Sequence, residues 1–224
     1  MKILAFDSSG GGCAAAVLSG EQVLAAESAS MLRGQAEHLV PMIARVMAAA
    51  GLGFGELDLI AVTLGPGAFT GVRIGIATAQ GLVLATGVPA LGLGSFAAVA
   101  AALPADLLEG RSLVVAIESR REELFLQAFD ESRTPLGEGA LVAPEHWLQH
   151  APAGPLVLAG DGAGRLQAAL EGRDLAPAPG TGSINAPTLS RLAAERWQAG
   201  LRTDRLEPLY LHAPDVTLAK ATSP

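Results

Sequence analysis

The sequence predicts an α/β protein in which one βββαβα-type unit is used twice. Three observations lead there. Residues 2–9, "KILAFDSS", form a short apolar run ending in an acid and serines, and residues 112–119, "SLVVAIES", repeat the form. A polar turn and a further strand-like stretch follow each run, so Asp7 and Glu118 take equivalent places. In each half a later apolar strand ends in a glycine turn that opens a helix, "VTLGPGAF" in one and "LVLAGDGAG" in the other.

Taken in order, "KILAFDSS" reads as a buried strand. "GGG" turns the chain, "CAAAVLSG" returns it, "SGEQ" turns it again and "QVLAAESA" makes a third strand. "QAEHLVPMIARVMAAAGL" predicts an amphipathic helix over Gln35–Ala50, closed by Gly51, with Leu39, Met42, Ile43, Val46 and Met47 as its apolar face. "LDLIAVTLG" is a buried strand, residues 68–86 are a helix, and "PALGLGS" is a fifth strand. In the second half, "DESRT" matches "SGEQ" as the turn after the second strand. "LVAPEHWLQHA" is a short helix, "PLVLAGDG" a strand and turn, and "AGRLQAALEG" and "TLSRLAAERWQAG" are helices. The boundary falls near "ALPADLLEGRS" and divides the chain into 1–103 and 104–224. Such a duplicated unit is the RNase H-like architecture of the actin, sugar-kinase and Hsp70 class, a fold-level analogy that fixes no function.

Composition narrows the function classes. A net charge of −7 with no run of basic residues argues against independent nucleic-acid binding, which needs clustered Lys and Arg. Arg120, Arg121 and Lys220 are the best local contributors to any nucleic-acid contact. Cys13 is the single cysteine, which excludes an internal disulfide and a cysteine-based zinc site. The apolar run at the N-terminus is short and ends at Asp7, unlike a signal peptide. No charge appears between Arg73 and Asp106, but Thr86–Pro89 interrupts this stretch, so no membrane span is expected and the chain reads as cytoplasmic.

Several motifs carry chemistry and a plainer alternative. In an ATPase of this class, "FDSSGGG" is the first phosphate loop, where Asp7 orients a metal-bound water and amides near Ser8 hold phosphate. The plainer reading is a glycine hairpin whose acid caps its amides, and the lack of an evident Lys or Thr partner favours it. In "GPGAFTG" the glycines Gly65 and Gly67 allow tight approach and the helix start could hold an anion, but no Gly-Lys-Ser/Thr closes a Walker A loop. Gly160, Asp161 and Gly162 form a third turn, at a position that contacts adenosine in nucleotide-binding relatives. His146 and His150 stand four apart, and a solvated helix face explains them better than zinc.

Together, "ILAFDSS", "GPGAFTGVRIGIATAQGL", "AIESRREELFLQAF", "GDG" and "EPLYLHAPDVTLAK" occur in the order found in the TsaB (YeaZ) family, and the chain resembles that family over essentially its full length. The family comprises non-catalytic paralogues of TsaD in the actin/Hsp70-like group once taken for M22 glycoproteases. The resemblance implies an assembly subunit of the bacterial complex that installs threonylcarbamoyl on adenosine 37 of ANN-decoding tRNAs. A TsaD-like catalytic subunit and a TsaE-like ATPase are the implied partners, with a homodimer when the chain is alone and tRNA bound only through the complex. It implies no cofactor of its own, ATP/ADP and metal belonging to partner subunits or the interface. The paralogue carries a metal-binding histidine pair shortly after its fifth strand, where this chain reads "GLGSFAAVA", Gly92–Ala100. Two positions depart from the family pattern: Gln35 stands where a histidine is usual, and "IESR" stands where "IDAR" is usual. The competing reading is an autonomous ATP-dependent phosphotransferase, which needs a general base and a complete nucleotide pocket.

The helix over 68–86 poses one more question, because only Arg73 in it is charged. Val72, Ile76, Ala79 and Val83 make one stripe, and the rest of its surface is also uncharged. The expectation is a helix covered on more than one side. The resemblance places the partner on this helix and on Leu39, Met42, Ile43, Val46 and Met47 of the preceding one.

Overall fold

The computed structural model describes residues 1–148, 151–178 and 183–211; His150, His212 and Lys220 lie outside them. The first unit runs β1 (Lys2–Asp7), β2 (Gly12–Ser19), β3 (Gln22–Ser30), α1 (Gln35–Ala50), β4 (Leu59–Thr63), α2 (Phe69–Thr86), β5 (Ala90–Leu93) and α3 (Ser95–Ala101). The second runs β6 (Ser112–Glu118), β7 (Leu124–Phe129), β8 (Ala140–Val142), α4 (Pro144–Trp147), β9 (Leu156–Ala159), α5 (Ala163–Ala169), β10 (Leu175–Pro177) and α6 (Ala186–Gln198). The sheet orders are β3-β2-β1-β4-β5 and β8-β7-β6-β9-β10, so the two units share one topology. The repeat is one strand and one helix longer than the sequence indicates, since α3 and β10 are additions. Residues 140–142, expected within a short helix, instead form the edge strand β8.

Both central strands are apolar along their length because both faces of each sheet are covered. Ile3 and Ala5 face a core shared with Leu113, Val115 and Val157 of the second sheet, filled from between by Phe96 and Leu189. Leu4 and Phe6 face outward beneath α1 and α2. Val114 and Leu158 face the opposite way, with Trp147 and Leu166 of α4 and α5. The result is five layers, with α3 and α6 in the middle one. Each unit's last helix packs on the other unit's sheet: α6 lies on β1 and β2, and α3 on β6. A bond from Thr188 N to the Asn185 side chain starts α6.

The helix α1 spans the expected residues and ends at Gly51, whose φ of 68° closes it in a left-handed cap. Its face Leu39, Met42, Ile43, Val46 and Met47 is buried against its own sheet. So are Val72, Ile76 and Ala79 of α2, with Val83 partly buried beside them. Eight of these residues are core and Val83 is half-buried against them, so they stack on their own sheet and do not form the expected partner interface. A single apolar stripe is what a helix needs to sit on one sheet.

At 18 residues and a mean hydropathy of 1.2, α2 is long and apolar enough to cross a membrane. It is instead the crossover between β4 and β5, adjacent parallel strands of one sheet. Both its ends are therefore held at that sheet.

Glycines along α2 divide into two kinds. A Cβ on Gly71 would overlap the Ser8 carbonyl oxygen, whereas one on Gly81 would meet nothing within 4 Å. Gly71→Ala should therefore destabilise the chain by about 2 kcal/mol or more through overpacking. Gly81→Ala should stabilise it by roughly 0.5–1 kcal/mol through helix propensity. Urea unfolding of the two variants checks the contrast, and a stable Gly71→Ala protein overturns it.

Candidate functional site

In a duplicated fold of this kind the ends of β1, β4, β6 and β9 converge on the cleft between the units. Asp7 sits at the end of β1 and is almost fully buried. Its Oδ1 accepts from Ser9 N at 3.0 Å, from Ser9 Oγ at 2.6 Å and from the Thr63 hydroxyl at the end of β4. Burial raises the Asp7 pKa, and the Ser9 and Thr63 donors offset this in part. The carboxylate caps its own turn, and Thr63 is a partner the sequence reading missed. The only signal for it is the threonine that ends the buried strand "LIAVT", next to β1 in the sheet.

The two glycine motifs of the first unit close on each other. Ser8 Oγ donates to Gly71 O at 2.8 Å, and Ala68 N donates to Ser9 O at 2.7 Å. A Cβ on Gly67 would collide with the Ser9 carbonyl, so this glycine is required by close backbone approach. Gly65, with φ 99°, turns the chain so that its carbonyl accepts from Ser95 N at 2.7 Å. The Ala68 amide and the Gly65 carbonyl of this loop are thus taken by protein partners.

In the second unit, Glu118 holds the place of Asp7 but lies at the rim, 2.8 Å from Arg165 on α5. Asp161 Oδ1 accepts from Glu118 N at 2.9 Å, which ties the "GDG" turn to the end of β6. Asp161 is exposed as a whole, yet its carboxyl end is set against that strand, and partial desolvation raises its pKa. A Cβ on Gly160 would overlap Ala116 O, and Gly162 N donates to the same oxygen at 3.0 Å. These glycines, too, serve strand-to-turn packing.

A small space of about 20 Å³, room for one water, lies between the strand ends and is bounded by Ser9, Gly10, Pro66, Ser95, Ile117, Asp161 and Ile184. A wider open space of about 480 Å³ lies at the start of α2, where Gly34, Gln35, Ala68, Gly71, Ser119 and Arg120 are among its lining residues. The residues present do not fit a resident metal. Residues 92–100 offer one hydroxyl, Ser95, and no imidazole or carboxylate, and among the described residues no three His, Cys, Asp or Glu converge. Burial, with the Asp7 charge adding, pushes the Cys13 thiol up to about 11, which keeps it a poor nucleophile at neutral pH.

The outer layer is a different surface. On α1, Ala36, Val40, Pro41, Ala44 and Ala48 are exposed; on α2, Ala77, Gly81, Leu84 and Ala85 are. Leu84 is 89% exposed and Val40 55%. The lone cation of α2, Arg73, stands 3.4 Å over the ring of Phe69, which stacks on Tyr210. Arg120 and Arg121 lie exposed on the turn after β6.

Three comparisons bear on this geometry. The family profile of TsaD, tRNA N6-adenosine threonylcarbamoyltransferase, matches residues 24–174. The tRNA threonylcarbamoyladenosine biosynthesis protein TsaB of Haemophilus influenzae is 33% identical over 62% of this chain, which spans 58% of that relative's length. The solved structure of YeaZ from Pseudomonas aeruginosa superposes with a TM-score of 0.80 at 29% identity, covering 94% of this chain and 99% of that one. The activator of 2-hydroxyisocaproyl-CoA dehydratase from Clostridium difficile, with bound ADPNP, matches at a TM-score of 0.53 and 10% identity over 91% of this chain and 99% of that one, a likeness of fold alone. The fold is of the actin/Hsp70-like kind.

Burial makes the Asp7 carboxylate costlier in the folded chain than in the unfolded one, so the folded chain keeps the proton to higher pH. Relative to Asp7→Asn, the wild type should therefore lose stability as pH rises from the ordinary aspartate value of about 3.9 through the raised one. Urea unfolding of both proteins at a series of pH values checks this. A difference that grows in favour of the wild type with rising pH contradicts it.

Proposed function

We propose, from the premise that this chain belongs to the TsaD family and is of its TsaB/YeaZ type, that it is a non-catalytic subunit in tRNA threonylcarbamoyladenosine synthesis. Its part is to pair with a TsaD-like catalytic subunit, in a complex that also takes up a TsaE-like ATPase. One observation carries the reading: the outer face of α1 and α2 presents an exposed apolar patch around Val40, Ala44, Gly81 and Leu84. A chain that performed the transfer itself would need a site for the carbamoyl donor and groups to polarise it. The absence of any histidine from Gly92–Ala100 supports the subunit reading. The kinase alternative is not favoured, since the matching relatives are of the TsaB and TsaD kind.

The docking face consists of the outward residues of α1 and α2, Val40, Ala44, Gly81 and Leu84 among them, and not the stripe beneath. Small side chains let a partner's helices approach closely, and the one cation of α2, Arg73, is held at its start by Phe69. Without the partner, a second copy would cover the same face. Metal and nucleotide belong to the partner or to the interface, tRNA is reached through the complex, and the working compartment is the cytoplasm.

Two outcomes test this. Val40→Asp and Leu84→Asp should leave the fold intact, since exposed substitutions change stability by about 0.5 kcal/mol or less. They should abolish pairing in sedimentation velocity with a TsaD-type subunit. Met42→Glu or Val46→Glu, by contrast, buries an unpaired carboxylate and should unfold the chain, at a cost of about 3 kcal/mol or more. Pairing that survives the two exposed charges overturns the assigned face. Separately, the purified chain given tRNA and the threonylcarbamoyl donor should make no threonylcarbamoyladenosine until the partner is added, and unaided formation refutes the subunit role.

A further inference from the structure

We infer that the cavity between α3 and α6 is a binding site for a small phosphorylated ligand. It shares no lining residue with the small space between the strand ends. One wall is Ala97, Ala100 and Ala101 of α3, whose small side chains leave it open. The opposite wall is one face of α6, where Thr188, Arg191, Leu192, Glu195 and Arg196 recur at helical spacing. The turn between β7 and β8 closes it with Ser132 and Arg133. The volume is about 340 Å³, within the range of small-molecule pockets.

Charge then selects the ligand. Three arginines and one carboxylate face this space, in a chain whose net charge is −7. Among the described residues, none of Arg133, Arg191 and Arg196 has a carboxylate within salt-bridge distance. Arg133 is also held in place, its guanidinium donating to Leu103 O at 2.7 Å. Its Nε is withdrawn from solvent and is the one buried side-chain polar atom among the described residues without a hydrogen-bond partner. An arginine fork suits the paired oxygens of a phosphate, and the hydroxyls of Ser132 and Thr188 supply further donors. No aromatic side chain lines the cavity, so nothing there stacks on a nucleobase. Recognition is of the phosphate, and Glu195 offers an acceptor for a hydroxyl of the attached organic part.

The test is a titration of the full chain, at low ionic strength, with inorganic pyrophosphate, ribose 5-phosphate and uncharged ribose, followed by amide NMR shifts and calorimetry. Both phosphates are expected to bind saturably and shift the amides of Ser132 and Thr188, while ribose does nothing. Tighter binding of ribose 5-phosphate identifies a phosphate ester as the ligand; tighter binding of pyrophosphate identifies an inorganic one. The double variant Arg191→Gln, Arg196→Gln alters two exposed side chains and should weaken binding about tenfold or more. Ala101→Glu, which places a like charge in the cavity, should do the same from the other wall. Absence of saturable binding by either phosphate overturns the inference. So does unchanged affinity in both variants with normal circular dichroism.

Discussion

The contact on which the rest of the structure depends is the backbone approach of α2 to the turn after β1. Gly67 and Gly71 come so near Ser9 and Ser8 that no side chain fits between them. Two hydrogen bonds, from Ser8 Oγ and from Ala68 N, then lock the turn to the helix start. With the helix fixed there, β4 and β5 are brought beside β1, and the Gly65 carbonyl meets the first amide of α3. A loop that looks built to cradle an anion has thus committed its Ala68 amide and Gly65 carbonyl to its own neighbours. The angle at which α2 lies on its sheet follows from that contact.

The two units show how one topology can hold two electrostatic environments. Asp7 and Glu118 end equivalent strands. Asp7 is sunk among hydroxyl donors with no cation near, and its charge is costly there. Glu118 is at the rim, where Arg165 on the following helix neutralises it in partly solvated surroundings. A metal-dependent phosphotransferase of this class works by bringing such acids to one bound ion. Here one faces hydroxyls and the other faces a guanidinium.

Much of this was legible in the sequence, for physical reasons. A 3.6-residue period bounded by Gly51 places α1, and short apolar runs ending in acids place β1 and β6. The helix α3, "SFAAVAA", gave no signal because it lies between two sheets, is covered on most sides and has neither a polar face nor a side-chain cap. Three-residue β10, which ends in a proline, pairs only with β9 and is too short for a pattern. The apolar stripes of α1 and α2 were visible, but a stripe records that something covers it, not what. The covering surface is their own sheet, so the uncharged residues on the far side are the informative ones. Thr63 was missed because its partner lies 56 positions away, and only the sheet brings them together.

The exchange of last helices has a consequence for synthesis on the ribosome. The inner face of the first sheet, with Ile3 and Ala5, is covered by α6, which is among the last elements to be translated. A nascent first unit therefore carries an apolar sheet surface for most of the time the chain is being made. The exposed interval is long because these contacts join residues nearly the whole chain apart, and such non-local pairings are slow to form. Until Gln198 has emerged, that half of the protein keeps an apolar face that its own last helix has yet to cover.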